Sequence, residues 1–128
     1  MQTSLEPVAK KDNVIHEAHG FHLLLTMKGC AADILNDQDK LTLLVRRAAS
    51  ATGATILHIY AHRFQPQGVT AAAVLAESHA TLHTYPESGV VFWDCFTCGM
   101  QCLPELSVPV LVDALKPEFF HKEIIYRH

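Results

Sequence analysis

Three extended, apolar segments in the middle of the chain constrain the fold most strongly. Val69–Ala76 consists mainly of small apolar residues, and His79–Thr84 and Val90–Thr97 follow it after short gaps. Pro86 and Gly89 bracket a turn between the last two segments. Short runs of this composition, each bounded by turn residues, predict consecutive β-strands rather than helices.

Helices and further strands surround this run. Residues 38–52 carry Leu41, Leu44 and Val45 at helical spacing, with Asn36 or Asp37 available as the N-cap. Residues 103–115 form a second predicted helix, although they include two prolines. The remaining predicted strands cover residues 16–28, 54–64 and 119–126. Runs of strands with helices between them predict an α+β two-layer sandwich, an antiparallel sheet with helices on one face.

The length of 128 residues fits a single domain, predicted over residues 16–128 after a flexible polar leader, residues 1–15. Helices on one face leave the other face of the sheet open. Because exposed apolar sheet faces usually find a partner, we expect a homodimer or a higher homo-oligomer.

Charge and composition exclude several classes of function. The net charge is −3 with neutral histidines, which gives no electrostatic reason to bind nucleic acid or an anionic membrane. No apolar run has membrane-spanning length, and the N-terminus lacks the apolar centre of a secretory signal. The four cysteines are therefore interpreted as reduced thiols of a cytoplasmic protein.

Reactive side chains are most concentrated between Gly68 and Gly99, in a segment that is otherwise largely apolar. They are Glu77, Ser78, His79, His83, Glu87, Asp94, Cys95 and Cys98. A metal site is one interpretation, because His79 and His83 are four residues apart and Cys95 and Cys98 form a C-x-x-C pair. Predicted strand geometry argues against it, since Cys95 and Cys98 then point to opposite faces. We predict no metal.

Two other interpretations stay open on the residues alone. A serine or cysteine hydrolase would need an activating motif, but Ser78 lies outside any G-x-S-x-G elbow and Cys98 has no hydrolase signature around it. A non-enzymatic binding domain with buried histidines and cysteines is the alternative from another class.

The combined motifs resemble one family. AESHATLHTYPE (residues 76–87) followed by DCFTCG (residues 94–99) resembles the self-processing region of prokaryotic S-adenosylmethionine decarboxylases. HRFQPQGVT (residues 62–70), GFHLLLTMKGC (residues 20–30) and ASATGATIL (residues 49–57) resemble segments upstream in the same family. The resemblance covers about Gly20–Gly99.

This resemblance implies an enzyme that makes its own cofactor. Decarboxylation of an α-amino acid leaves a carbanion, which needs an electrophilic carbonyl as electron sink. In the family, cleavage between Glu77 and Ser78 converts Ser78 into a pyruvoyl group, which forms a Schiff base with the substrate. The products are chains 1–77 and 78–128. The reaction supplies the aminopropyl donor for polyamine synthesis, spermidine in particular.

The resemblance also implies roles for individual residues. His83 corresponds to the proton-transfer residue of processing, and Thr70 stands where the family usually has a processing serine. Cys98 corresponds to the proton donor of decarboxylation. Strand parity alone puts Ser78 and His83 on opposite faces, so a kink at the cut site is expected. The substrate residues implied are Phe64 and Tyr85 for adenine and Glu87 for the ribose hydroxyls. Cys95 is assigned to the core, and Cys30 and Cys102 are left unassigned.

Some positions depart from the family pattern: Phe21, Ala80, Ser88 and Met100. The residues implied in processing and decarboxylation match the family pattern better than these positions do. The same pyruvoyl chemistry on L-ornithine or L-arginine is therefore the alternative substrate reading.

The first prediction is self-cleavage. The purified protein should run as two fragments on a denaturing gel, with the 78–128 fragment blocked to Edman sequencing by its pyruvoyl group. Ser78→Ala should stay a single chain because no hydroxyl remains to attack the Glu77 carbonyl. Cleavage of Ser78→Ala at the same bond would rule the mechanism out.

Overall fold

A computed structural model describes residues 15–128, so the predicted leader lies outside the described residues except for Ile15. Six strands and two helices follow one another as predicted, and the α+β sandwich is confirmed. Their bounds are β1 Gly20–Lys28, α1 Gln38–Ala51, β2 Ile56–Arg63, β3 Val69–Leu75, β4 Ser78–Tyr85, β5 Val90–Cys98, α2 Ser107–Leu115 and β6 Phe119–Arg127.

The strands form one antiparallel sheet in the order β2-β3-β4-β5-β1-β6. The short connections of the central run make β3, β4 and β5 neighbours, as hairpin-linked strands usually are. β1 lies between β5 and β6, so the first and last strands of the chain are neighbours in the sheet. The Cβ of any other residue at Gly20 would lie 2.0 Å from the Thr97 carbonyl oxygen, so β1 approaches β5 closely there.

Two predicted boundaries were wrong. β1 begins at Gly20, not at His16, because residues 16–19 lie outside the ladder that pairs Gly20 with Cys98 and Arg127. The second helix begins at Ser107; Pro104–Leu106 before it form a 3-10 turn with Pro104 at the first position, where proline is tolerated. α1 ends at Ala51, within a residue of the prediction, and Asp37 is its N-cap.

The core lies between one face of the sheet and the two helices. Alternate residues of β1, β3, β4 and β5 point into it, as period-two alternation requires. Trp93 on β5 is 1% exposed and donates a hydrogen bond from Nε1 to Ser107 Oγ at 3.0 Å. Ser107 in turn donates to the Pro104 carbonyl at 2.6 Å, so this buried chain fixes where α2 begins on the sheet. The buried apolar side chains of α1 are Leu41, Leu44, Val45, Ala48 and Ala49.

The opposite face of the sheet carries no helix in the described part of the chain. Apolar side chains on this face remain exposed, namely Leu24, Tyr60, Val74, Phe92 and Ile125. Polar side chains lie between them on the central strands and form the site described next. We call this surface the open face.

Candidate active site

The bond between Glu77 and Ser78 lies at a tight hairpin turn. Ala76 and Glu77 join β3 to β4, and Leu75 pairs with Ser78 across the turn. The turn is tied to the loop before β2, because Ala76 N donates to the Thr55 carbonyl at 2.9 Å and Thr55 N donates to Glu77 Oε1 at 3.0 Å. Glu77 therefore holds its turn in place through its side chain as well as through its backbone.

The carbonyl of Glu77 accepts a hydrogen bond from the backbone N–H of Cys98 at 2.9 Å. This donor polarises the carbonyl that Ser78 would attack. A backbone N–H held at this distance is also the kind of group that stabilises an oxyanion as negative charge develops on the oxygen. No local sequence pattern indicates this contact, since it depends on how β5 ends beside the turn.

Ser78 itself has a strained backbone. Its φ is 146°, one of two positive values among the non-glycine residues described. Such a conformation costs about 1–3 kcal/mol and persists only where the surroundings impose it. The expected kink at the cut site is thus present, but it turns Ser78 toward His79 and not toward His83: Ser78 Oγ lies 3.1 Å from His79 Nδ1.

A line of hydrogen bonds continues from His79 across the open face. His79 Nε2 lies 3.3 Å from Asp94 Oδ2, and His22 Nε2 lies 2.7 Å from the same oxygen. Thr81 donates to the other carboxylate oxygen of Asp94. Arg127 Nη1 lies 3.4 Å from His22 Nδ1 at the far end. Four strands, β4, β5, β1 and β6, contribute to this row, which we call the histidine–aspartate row.

Asp94 carries the negative charge of this row. Burial by itself would raise the pKa of the Asp94 carboxyl, but hydrogen bonds from Thr81 and His22 and the nearby His79 and His22 rings outweigh it. The pKa of Asp94 is consequently below its ordinary value, and the carboxylate stays ionised at neutral pH.

His83 and Thr70 form a separate pair. They are register partners on β4 and β3, and Thr70 Oγ1 lies 3.1 Å from His83 Nδ1. His83 follows Ser78 by five positions on β4, which corresponds to about 16 Å along a strand. Within one chain, therefore, the structure brings His83 to Thr70 but does not bring either of them to Ser78.

The three predicted substrate residues lie at the same end of the sheet as His83. Phe64 follows β2, Tyr85 ends β4, and Glu87 lies in the turn after it. The Phe64 and Tyr85 rings are partly exposed, and Tyr85 packs edge-on against Phe92 at 5.5 Å between ring centroids. Gln67 Nε2 donates to Glu87 Oε1 at 3.4 Å. This end is about 23 Å from Ser78 along β4.

The two cysteines of the C-x-x-C pair lie in opposite environments. Cys95 is fully buried, and burial together with the nearby Asp94 and Cys102 raises the pKa of its thiol to about 12. Cys98 is only half-buried and lines a cavity of about 350 Å³ that Glu77 and Gly53 also line. Cys98 and the Glu77 carbonyl thus share one end of the sheet with Ser78.

The pKa of the Cys98 thiol lies above its ordinary value. Burial raises its pKa, a backbone hydrogen bond opposes the rise, and the negative charges of Glu77 and Glu17 add to it. The group is protonated at neutral pH, so it has a proton to give. Burial also raises the pKa of Cys30, to about 11, and of Cys102.

A metal site at the residues first considered does not fit the fold. His79 and His83 are four positions apart on a strand, about 13 Å by rise, and Cys95 and Cys98 point to opposite faces. A different set, His22, His79 and Asp94, has ligand atoms within 4.8 Å of one another. In this structure these atoms are hydrogen-bonded to one another, so a bound metal would have to replace those contacts.

Sequence reasoning missed three features of the site: the Cys98 N–H, the histidine–aspartate row, and Thr97. Thr97 is the register partner of Ser78, and its hydroxyl is the buried side-chain oxygen without a partner in the described part of the chain. His79 and Asp94 stood out in the sequence, but only the register of β4, β5 and β1 shows that they meet His22.

Fold and site together define an α+β sandwich with polar residues on an uncovered sheet face and a strained serine at one end of the central strands. A family model described as S-adenosylmethionine decarboxylase matches residues 21–128. The chain belongs to the S-adenosylmethionine decarboxylase family. In the part of the chain described, no helix is both long and apolar enough to cross a membrane.

Individual relatives agree with this assignment. The S-adenosylmethionine decarboxylase proenzyme of Methanococcus vannielii is 43% identical over 99 residues, which cover 77% of this chain and 81% of that protein. The proenzyme of Brevibacillus brevis is 42% identical over 103 residues, covering 80% and 77%. The crystal structure of the adenosylmethionine decarboxylase from Aquifex aeolicus superimposes with a TM-score of 0.78 at 29% identity, covering 84% of this chain and 89% of that one.

The environments of the cysteines predict their reactivity. In Ser78→Ala, kept uncleaved, iodoacetamide should label Cys98 and spare Cys95, because Cys95 is fully buried. Since the thiolate reacts and the pKa of Cys98 is raised, the rate should still be increasing with pH beyond 9.0, the ordinary thiol value. Peptide mass mapping measures both, with Cys98→Ser as the control. A Cys98 rate that levels off near pH 7 would contradict the assigned environment.

Proposed function

We propose that this protein is a self-processing, pyruvoyl-dependent decarboxylase of S-adenosylmethionine. The observation that carries the proposal is the state of the Glu77–Ser78 bond: a strained serine follows a carbonyl that already accepts a hydrogen bond from Cys98 N–H. The proenzyme names of the relatives support the same reading. The decarboxylated product would supply the aminopropyl donor for polyamine synthesis.

Processing begins with attack of Ser78 Oγ on the carbonyl carbon of Glu77. The C–O bond forms, the C–N bond breaks, and an ester replaces the amide. The Cys98 N–H stabilises the oxyanion that develops on Glu77 O. Positive φ at Ser78 raises the energy of the uncleaved state, and the rearrangement can release that strain. Loss of the Ser78 α-proton, assigned to His83 with Thr70 as its partner, then expels the Glu77 carboxylate.

Water then displaces ammonia from the new N-terminus, which becomes the pyruvoyl group. This group supplies the electron sink for decarboxylation. Cys98 lines the cavity beside this position, and its raised pKa keeps it protonated. Cys98 is therefore proposed to donate the proton that the substrate carbon needs after CO₂ leaves. Its backbone would serve processing and its side chain would serve turnover.

A complete site requires two copies of the chain. Ser78 and Cys98 lie at one end of the sheet, whereas His83, Thr70 and the substrate residues lie at the other, about 16–23 Å away along β4. We propose a homodimer that stacks two open faces about a two-fold axis, which brings opposite ends of β4 together. Such a dimer would also cover the exposed Tyr60, Val74 and Phe92.

Adenine stacking fits the substrate end of the sheet. Phe64 and Tyr85 present partly exposed rings, and each aromatic contact with a base is worth about 1–3 kcal/mol. Glu87 would accept hydrogen bonds from the ribose diol. Ornithine and arginine have neither a ring nor a diol, so these residues favour S-adenosylmethionine. A cytoplasmic setting is proposed on the four free thiols.

The two-chain site predicts complementation between inactive variants. Ser78→Ala and His83→Ala should each stay uncleaved alone. When they are co-expressed, mixed dimers contain one intact site, so about a quarter of all sites should recover if mixing is random. Mass spectrometry should find cleavage only in the His83→Ala chain, which keeps its serine. If mixed dimers form but no chain is cleaved, the site lies within one chain and this arrangement is wrong.

The substrate assignment predicts which amino acid releases CO₂. The processed enzyme should decarboxylate S-adenosylmethionine and leave ornithine and arginine unchanged. Glu87→Gln should raise KM for S-adenosylmethionine about tenfold or more, because a hydrogen bond to a charged group is worth about 1.5–3 kcal/mol. Glu123→Gln, a matched exposed carboxylate on β6, serves as the control. CO₂ release from arginine or ornithine alone would refute the nucleoside site while leaving the pyruvoyl mechanism intact.

A further inference from the structure

The histidine–aspartate row ends on the hydroxyl that must lose its proton for processing to begin. Ser78 Oγ contacts His79 Nδ1 at 3.1 Å, and among the described residues this ring is the side-chain base that lies within hydrogen-bond distance of the hydroxyl. A serine hydroxyl is a weak nucleophile unless an adjacent base accepts its proton. The contact therefore places a base beside the Ser78 hydroxyl, the group that must lose its proton for processing to begin.

The direction of each hydrogen bond in the row follows from its fixed ends. A guanidinium only donates, so Arg127 makes His22 Nδ1 an acceptor and leaves His22 Nε2 to donate to Asp94. The Asp94 carboxylate only accepts, so His79 Nε2 carries the proton of that contact. The other nitrogen of the neutral His79 ring, Nδ1, then has a free lone pair directed at the Ser78 hydroxyl.

We propose that His79 is the catalytic base of the acyl shift, and that Asp94 and His22 are positioning residues that hold its tautomer. This inference rests on the proposed self-cleavage. His79 Nδ1 takes the proton from Ser78 Oγ as the oxygen bonds to the Glu77 carbonyl carbon. When the C–N bond breaks, the same nitrogen returns the proton to the departing amine. The step is an isomerisation and needs no further reactant.

This assignment gives the two histidines of β4 separate tasks. His79 contacts Ser78 of its own chain and would handle the hydroxyl proton. His83 is about 16 Å from Ser78 of the same chain along β4. The proposed dimer would bring His83 to the Ser78 α-proton of the partner chain. Loss of His79 should therefore stop processing before the ester forms, whereas loss of His83 should stop it after.

Hydroxylamine distinguishes these two stages, because at neutral pH it cleaves an ester readily and leaves a peptide bond intact. His79→Asn keeps a carbonyl oxygen near the Nδ1 position but cannot take up a proton. Its processing should be slowed about 100-fold, the contribution typical of a general base, and the uncleaved chain should resist hydroxylamine. His83→Ala should accumulate a chain that hydroxylamine splits before Ser78.

Asp94→Asn tests the positioning role. An amide at position 94 can donate to His79 Nε2 and so favour the tautomer with the proton on Nδ1, which cannot accept from Ser78. Processing should slow by a comparable factor, again without a hydroxylamine-sensitive species. Nitrogen-15 chemical shifts of His79, measured in an uncleaved Ser78→Ala background, should move from the Nε2–H to the Nδ1–H pattern. A purely structural role for Asp94 would leave this tautomer unchanged.

Two controls test whether loss of another histidine or removal of a metal has the same effect as the His79 variant. His121→Ala removes an exposed histidine of the edge strand β6 and should process normally. Wild type should also process in EDTA; inhibition by the chelator would show that the row holds a metal and would overturn the proposal. If His79→Asn does not fold, as judged by thermal unfolding, His79→Gln gives the same test.

The outcomes are distinct. Cleavage of His79→Asn at the wild-type rate, or accumulation of a hydroxylamine-sensitive chain in it, would overturn the role of His79 alone. Failure of the wild-type protein to cleave would instead refute the proposed function. A slow, hydroxylamine-resistant His79→Asn beside a hydroxylamine-sensitive His83→Ala is the expected result.

Discussion

The site depends on how β5 ends beside the β3–β4 turn. There the Cys98 N–H reaches the Glu77 carbonyl, while the Glu77 side chain accepts from Thr55 N. These contacts hold the two-residue turn from both sides, and a turn held in this way can impose the unusual φ of Ser78. Without the β5 contact the carbonyl would lose its polarising donor, and the turn that imposes the strain at Ser78 would be held from one side only.

The sheet separates two sets of polar residues by placing them at opposite ends of β4. Side chains on the open face of a strand repeat every two residues, so His79, Thr81, His83 and Tyr85 all project from the same side of β4. At the Ser78 end of β4, the register of β5 and β1 brings Asp94 and His22 to His79. At the Tyr85 end, the register of β3 brings Thr70 to His83. In the proposed dimer each chain would hold two half-sites, which would give the exposed apolar residues of the open face a functional reason to associate.

Burial sets the chemistry of the cysteines more than sequence spacing does. Cys95 and Cys98 look equivalent in a C-x-x-C pattern, but strand alternation sends one into the core and the other beside the cavity. The raised pKa of Cys98 suits a proton donor rather than a nucleophile, because the thiol stays protonated at neutral pH. The same fold thus uses two chemically identical side chains for packing and for a proposed proton transfer.

The sequence by itself determined the class of fold, the order of its elements and the family, because period-two and helical spacing, turn residues and the AESHATLHTYPE and DCFTCG motifs are local properties of the chain. It also determined that Cys95 and Cys98 face opposite ways, which follows from strand parity alone. It did not determine where β1 and α2 begin, since those bounds depend on the pairing of Gly20 with Cys98 and on the Trp93–Ser107 contact. Only the tertiary structure decided that the kink at Ser78 turns it toward His79, that Asp94 and His22 complete that contact, and that His83 belongs with Thr70 at the far end. The reason is that register between strands distant in sequence fixes these neighbours, and no local pattern encodes that register.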